Sequence, residues 1–335
     1  MGEELLRKCV HYEQADDRLV CHLCVHECKI AEGKTGVCRV RKNVGGTLRS
    51  LNYARITSAG MDPIEKKPLY HFHPGSQILS LGTFGCNLSC AFCQNWGISQ
   101  GNPPTEPLTP EEAVALAKER VAQGNIGIAY TYNEPIIWYE YVYDTAKLVK
   151  EAGLCNVLVT NGIIQEAPLL EILPLVDAMN VDVKSMNDEF YRKLCGAPSG
   201  ELARRTVETA FGRVSVEITN LVVTGENDTE EDFRALTDWA ASVSPDLPLH
   251  ISRYHPAYKL SAPPTPLETL EKAAAIAREK LHYVYVGNAY VPGGGDTVCP
   301  GCGEVVVSRQ GYSTSSRLTE DGRCPSCGGD VNMVV

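Results

Sequence analysis

A chain of 335 residues has room for one large α/β domain with small appendages, since a barrel of alternating strands and helices alone takes about 200 to 250 residues. Its composition, 44% hydrophobic and 21% charged, excludes a disordered chain, and a formal charge of -10 excludes a generic nucleic-acid or anionic-membrane surface. No apolar stretch reaches membrane-spanning length, and residues 1–20 carry no basic-then-apolar leader, so the expected setting is the cytoplasm.

The first segment, residues 1–75, reads as an N-terminal cysteine-rich metal-binding module. It carries Cys21-x2-Cys24-x3-Cys28-x9-Cys38. In a reducing compartment such close cysteines are thiolate ligands rather than disulfide halves. The spacing suits structural zinc, with a second 4Fe-4S cluster and free thiols as alternatives. His22 and His26 are alternate zinc ligands. The segment ends in Met61 to Gly75, where Asp62-Pro63-Ile64-Glu65-Lys66-Lys67-Pro68 reads as an ordered connection, followed by Tyr70, His71 and His73.

Residues 76–291 alternate strand-like and helix-like runs, the pattern of a parallel sheet with helical crossovers. Strands are expected at Ile78 to Thr83, Ile126 to Tyr132, Asn156 to Thr160, Ala178 to Val183, Val214 to Val223 and Leu249 to Tyr254, with a short seventh at Tyr283 to Gly287. Helices are expected at Pro110 to Gln123, Trp138 to Ala152, Pro168 to Leu173, Glu201 to Phe211, Thr229 to Ser242 and Leu267 to Lys280. Thr109 and the acids after Thr229 mark helix starts. The fold class is thus α/β, a partial (β/α)6 TIM-like barrel. In such barrels the active face lies at the carboxyl ends of the strands. Several chemistry-bearing residues fall there: Cys86, Asn133, Glu134, Asn161, Asp182, Lys184 and His255. The shape of the substrate pocket then depends on Tyr130, Tyr132, Arg253 and the 61–75 segment.

A glycine run at Gly293 to Gly295 marks the start of a third unit, 292–335. Cys299-Pro300-Gly301-Cys302 and Cys324-Pro325-Ser326-Cys327 form two knuckles, the pattern of a zinc ribbon, in which four thiolates stabilise a segment too short for its own core. Iron is the alternative occupant. Cys9, Cys155 and Cys195 stand apart from these clusters, and the last two read as small core residues.

The most specific signal is Cys86-Asn87-Leu88-Ser89-Cys90-Ala91-Phe92-Cys93, directly after the first parallel strand. Three thiolates on one short loop suit three irons of a cubane cluster and leave the fourth iron open for S-adenosylmethionine (SAM). That Cys-x3-Cys-x2-Cys spacing, with Phe92 before the last cysteine, resembles the signature of the radical SAM superfamily.

Residues 80–255 also resemble the activating enzymes of glycyl-radical enzymes, such as the pyruvate formate-lyase activator. Tyr132-Asn133-Glu134-Pro135 sits where that family has a Gly-Gly-Glu motif, so the resemblance implies that Glu134 meets the amino group of SAM. Asp182-Val183-Lys184 resembles its Asp-x-Lys segment and Tyr254-His255 its Tyr-His pair, which implies that Lys184 and His255 bind the cofactor, beside Asn133, Asn161 and Asp182. Some activators place an acid before Thr-Asn-Gly; this chain has Val159, which argues against a monovalent-cation site.

With both flanking cysteine modules included, the whole chain resembles the radical SAM members of the AmmeMemoRadiSam system. That resemblance implies Memo-type and AMMECR-type protein partners and an electron donor such as flavodoxin or ferredoxin. The activity implied is reductive cleavage of SAM to a 5'-deoxyadenosyl radical, which abstracts hydrogen from an unidentified substrate. A glycyl-radical-enzyme activase and a catalytically inactive metal-bound scaffold are the alternatives.

Overall fold

The computed structural model describes residues 6–335; residues 1–5 of the N-terminal module lie outside it. The module opens with β1 (Tyr12–Ala15), β2 (Arg18–Cys21) and β3 (Lys29–Ala31), an antiparallel sheet, followed by the hairpin β4 (Arg41–Val44) and β5 (Thr47–Ser50). A short β6 (Arg55–Ile56) leads into β7 (Ser58–Pro63) and then β8 (Gln77–Gly82).

From β8 the chain winds through α1 (Trp96–Ser99), β9 (Glu106–Pro107), α2 (Pro110–Glu119), β10 (Asn125–Tyr130), α3 (Tyr139–Glu151), β11 (Cys155–Thr160), α4 (Glu166–Ile172) and β12 (Ala178–Asp182). There follow α5 (Asp188–Phe190), a π-turn over Tyr191–Cys195, α6 (Glu201–Ala210), β13 (Ser215–Val222), α7 (Glu230–Val243), β14 (Leu249–Arg253), α8 (Leu267–Ala277) and β15 (Val284–Gly287). The sheet order is β15-β14-β13-β12-β11-β10-β8-β7, parallel from β8 to β15, with β7 antiparallel at the edge. All seven expected strands are present within two residues at either end. No described helix is long and apolar enough to cross a membrane.

Local chemistry accounts for these elements. β11 is a nearly continuous apolar run, Cys155–Thr160, as expected of a strand covered on both faces. Pro110 starts α2 behind a capping box in which the Thr109 hydroxyl and the Glu112 carboxylate satisfy each other's backbone N–H groups. Thr229 and Asp232 do the same for α7, whose first turn holds three acids. On the helix side of the sheet Trp138 stacks on Tyr141, ring centroids 4.1 Å apart.

Gly127 of β10 is a packing requirement. A Cβ there would stand 1.9 Å from the Cys155 carbonyl oxygen on the adjacent strand. Gly127→Ala must therefore push β10 and β11 apart, and overpacking of a close-packed layer costs about 1–3 kcal/mol or more. We expect a lower denaturation midpoint for that variant, read by urea titration of circular dichroism.

The strands on either side of 75/76 pair with each other. β7 pairs with β8 along its whole length, Ser58 opposite Gly82 through Pro63 opposite Gln77. The chain then crosses the concave side of the sheet: Ile64, Leu69 and Phe72 pack with Ile78, Ala129, Val157 and Ala178 to fill the base. Above that layer Asn180 donates to the Pro68 carbonyl at 2.8 Å and accepts from Thr219 at 2.9 Å. Residues 61–75 thus form the floor of the enclosed space.

The C-terminal unit, β16 (Thr297–Val298), β17 (Val305–Gln310) and β18 (Ser313–Ser316), docks on the same segment. Buried Arg309 donates to the Tyr70 carbonyl and to Thr297 Oγ1, and its guanidinium lies 4.2 Å from the Tyr70 ring centroid. A polar chain runs on from Thr297 through the Tyr285 hydroxyl and His71, whose backbone N–H donates to Glu217; Glu217 in turn accepts from His250 at 2.6 Å. Buried polar groups of this kind are tolerated because each finds a partner.

Candidate functional site

The cysteine triplet follows β8 at the carboxyl end of the parallel strands. Its loop is held from below by the π-turn: Ser89 N–H donates to the Cys195 carbonyl and Ala91 N–H to the Leu194 carbonyl, both at 2.8 Å. Gly196, in the left-handed region at φ +71°, lets this turn approach, because a Cβ there would lie 2.3 Å from Ser89 Oγ. Cys195 is fully buried in the apolar cluster behind the loop, as expected of a small core residue. From the side, Asn87 donates to the Ile163 carbonyl at 3.0 Å and accepts from Asn161 Nδ2 at 2.8 Å.

Cys86, Cys90 and Cys93 all open onto a cavity of about 550 Å³, and so do Asn133, Glu134, Asn161, Asp182 and Lys184. Each expected residue except one is brought to a single chamber. His255 is the exception: it is exposed and lies outside the cavity wall, one residue beyond the buried Tyr254, whose backbone is tied to Thr265.

Glu134 is buried, at 3% exposure, and already engaged: Oε1 accepts from Ile136 N–H and Thr160 Oγ1, and Oε2 from Asn161 N–H at 2.8 Å. Burial pushes its carboxyl up to about 7 despite these donors, and nearby Asp182 adds to the rise. Lys184 Nζ donates to Asp182 Oδ2 at 2.8 Å; the pair shares one face of the chain two residues apart and leaves Asp182 the more exposed member. Asn133 serves the backbone, accepting from Thr83 N–H and donating to the Gly85 carbonyl. It clamps the second strand end to the loop that carries Cys86.

Of the pocket-shaping residues, Tyr132 lines the chamber, whereas Tyr130 points to the helix side and bonds Asn156, and Arg253 is tied to the Thr265 carbonyl. The 61–75 segment, expected to shape the pocket, does contribute to the chamber. Lys66 and Lys67 reach its wall from the crossing segment, and Asp62 accepts from Lys66, Lys67 and the Tyr132 hydroxyl at 2.7, 2.7 and 2.6 Å. Tyr132 adopts φ +70°, which turns its ring onto the Lys67 ammonium at 4.7 Å.

The two outer cysteine sets differ in geometry. Cys299, Cys302, Cys324 and Cys327 have sulfur atoms all within 4.8 Å of one another, with Cys299 and Cys327 3.6 Å apart. Cys21, Cys24, Cys28 and Cys38 instead surround a small closed cavity in the first module. All fourteen cysteines are free thiols.

Comparison with known proteins agrees with this picture. Residues 81–240 match the model of the Radical SAM superfamily. The uncharacterized protein MJ0808 of Methanocaldococcus jannaschii is 42% identical over 343 residues, covering 98% of this chain and 100% of its own length. The pyruvate formate-lyase 1-activating enzyme of Escherichia coli K12 is 26% identical over 217 residues, 60% of this chain and 88% of that one. In fold alone, the chain is similar to the structure of Streptococcus suis SuiB bound to S-adenosylmethionine, with a TM-score of 0.51, 12% identity and coverage of 63% of this chain and 52% of that one. A loop of three cysteines at the mouth of a parallel sheet, and relatives matching across it, lead to one statement: the chain is an enzyme of the radical SAM superfamily, related to pyruvate formate-lyase activating enzymes.

Proposed function

We propose that this enzyme binds a 4Fe-4S cluster through Cys86, Cys90 and Cys93 and uses it to cleave SAM, generating a radical that abstracts hydrogen from a substrate in the same chamber. The observation that carries the reading is the convergence of those three thiols with Glu134, Asn161, Asp182 and Lys184 on one cavity. The donor set fits: three soft sulfurs for iron, and a carboxylate, an ammonium and amides for a ligand that bears both charges. When bound, the cluster supplies one electron that breaks a carbon–sulfur bond of SAM.

The chain's own residues then bind, orient and shield. Glu134 would meet the ammonium of SAM with a carboxylate held by the Ile136 and Asn161 N–H groups and the Thr160 hydroxyl. A nearby cation also brings its carboxyl back toward the charged form. Lys184 and Asp182 are assigned to the remaining polar groups of the cofactor, and Asn133 and Asn161 act mainly by holding the loop. His255, being outside the wall, enters this scheme only through movement of the segment after β14. The base of the sheet, filled by Ile64, Leu69 and Phe72, would shield that side of the reacting centre. On this reading the core is a partial (β/α) barrel with a seventh parallel strand beyond the six-strand minimum, and the C-terminal thiols form a zinc ribbon, since a tetrahedral Zn–S length of about 2.3 Å places sulfurs about 3.8 Å apart.

The named relative that activates a glycyl-radical enzyme favours a protein substrate and a protein electron donor of the flavodoxin or ferredoxin class for this chain as well. The Memo-type and AMMECR-type partners belong to the same reading, as does the cytoplasmic setting, which suits fourteen free thiols. The test is direct. Anaerobically reconstituted protein given SAM and dithionite releases 5'-deoxyadenosine; if none forms while iron and sulfide are fully loaded, the reading fails.

A further inference from the structure

The first module presents a contrast with the ribbon. Among the described residues, Cys299, Cys302, Cys324 and Cys327 are the one group of three or more potential ligands whose donor atoms all lie within 4.8 Å of one another. Two other cysteine groups are therefore more widely spread: the triplet Cys86, Cys90 and Cys93, and the four thiols Cys21, Cys24, Cys28 and Cys38. A single tetrahedral zinc draws its sulfurs to about 3.8 Å from each other. A cube of iron and sulfide holds its thiolates at separate corners, farther apart. Among the described residues, neither the N-terminal four nor the triplet is drawn together as tightly as the ribbon.

The space between them is built for an anion. The four cysteines line a closed cavity whose other walls include Leu23, Ile30, Val37 and Ile137. Into it comes Arg41, 1% exposed. One guanidinium nitrogen, Nη2, is paired with Glu140 Oε1 and the Val10 carbonyl, but Nε and Nη1 have no protein partner. Buried donors without partners cost about 1–3 kcal/mol each, and more when charged. A thiolate-bound cluster is negatively charged overall, which favours a buried guanidinium beside it.

The location is equally specific. The Cys38 carbonyl lies against Gly85, so closely that a Cβ on Gly85 would stand 2.7 Å from it, and Gly85 directly precedes Cys86. His26, between Cys24 and Cys28 in sequence, donates to the Asn87 carbonyl at 2.7 Å. The module touches the triplet loop at both ends of its first turn.

We propose that Cys21, Cys24, Cys28 and Cys38 hold a second iron–sulfur cluster of the four-iron class, adjacent to the one at Cys86, and that it relays the electron used in SAM cleavage. A low-potential one-electron carrier reduces the N-terminal cluster by one electron, and that electron passes to the cluster at Cys86, so each transfer oxidises one centre and reduces the next. Arg41 compensates the charge. The relay rests on the radical-forming role of the triplet; the cluster itself does not.

The test uses the full-length chain with Cys86→Ala, Cys90→Ala and Cys93→Ala combined, which leaves the N-terminal module intact. After anaerobic reconstitution this variant retains about four iron and four acid-labile sulfide per chain, half the wild-type content, with one zinc in the ribbon. Two zinc and no sulfide, or no metal beyond the ribbon, overturns the proposal, and two iron with two sulfide overturns the four-iron class. Relay is read by electron paramagnetic resonance of the reduced proteins: the N-terminal signal relaxes faster in the wild type, beside a second paramagnet, than in the triple variant. Equal relaxation rules the relay out. Absence of 5'-deoxyadenosine from the wild type, by contrast, would sink the SAM reading and leave the sulfide count of the variant untouched.

Discussion

Cys90→Ala should abolish 5'-deoxyadenosine formation, by at least about three orders of magnitude, equivalent to about 4 kcal/mol of barrier. The physical argument is ligand number. With Cys90 gone, two thiolates remain on the loop, too few to hold three irons of a cube whose fourth corner is kept for SAM. The loop is anchored independently of the Cys90 thiol: the adjacent Ala91 N–H is pinned to the Leu194 carbonyl and the Ser89 N–H to the Cys195 carbonyl. The loop should therefore keep its shape in the variant, so that lost activity reports lost metal rather than misfolding. Two measurements check this together: circular dichroism unchanged, and iron and sulfide each lowered by about four per chain. Full activity in a correctly folded Cys90→Ala protein would remove the triplet from the chemistry.

The second large effect is expected at Asp62, far from any motif. Asp62 is the acceptor for Lys66, Lys67 and Tyr132, and the Lys67 side chain is only 2% exposed. Asp62→Ala leaves a buried ammonium without its counter-charge, a change that costs about 3–5 kcal/mol when a buried pair is broken from one side. It also releases the Tyr132 hydroxyl and with it the wall of the chamber. A double variant, Asp62→Ala with Lys67→Met, removes both charges and should recover most of the stability, because the cost comes from the orphaned charge rather than from the pair. Urea denaturation of the three proteins decides it; if the double variant is as unstable as the single, the charge argument is wrong.

The same carboxylate gives a pH dependence with a definite sign. Burial alone would raise the Asp62 carboxyl, but hydrogen bonds from Lys66, Lys67 and Tyr132 outweigh it and hold the group well below the usual carboxylate range. A depressed folded-state value means that the contribution is fully present above the unfolded value of about 3.9 and is lost as the pH falls below it. The wild type should therefore lose this part of its stability on acidification below about pH 4, whereas an unpaired carboxylate, with the same value folded and unfolded, would contribute no such loss. The Asp62→Ala, Lys67→Met protein should lack that component.

Much of the fold was legible because its signals are local. β-branched runs such as Asn156 to Thr160, a cap at Thr109 and acids after Thr229 determine strands and helix starts within a few residues, and alternation of the two implies a parallel sheet. The cysteine spacing at 86–93 fixes the metal chemistry for the same reason: three ligands within eight residues need no distant partner. Residues at strand ends follow from the fold class, and Glu134, Asn161, Asp182 and Lys184 do meet at one cavity. His255 does not, although its position after a strand was the same kind of evidence. The turn after β14 is committed to Thr265, which takes the Tyr254 N–H and leaves the next residue facing solvent.

By itself, then, the sequence determined the order of elements, the triplet and the superfamily, each carried by neighbours along the chain. Only the tertiary structure decided what the remaining segments do. Residues 61–75 look like a connection until β7 pairs with β8 and Lys66 and Lys67 arrive in the chamber, contacts that depend on partners as far away as Tyr132. The placing of Cys21, Cys24, Cys28 and Cys38 around one cavity, with buried Arg41 in its wall, likewise joins residues that are not neighbours in sequence. Ligand identity is written in the sequence, but the separation that tells one metal ion from a cluster is set by packing.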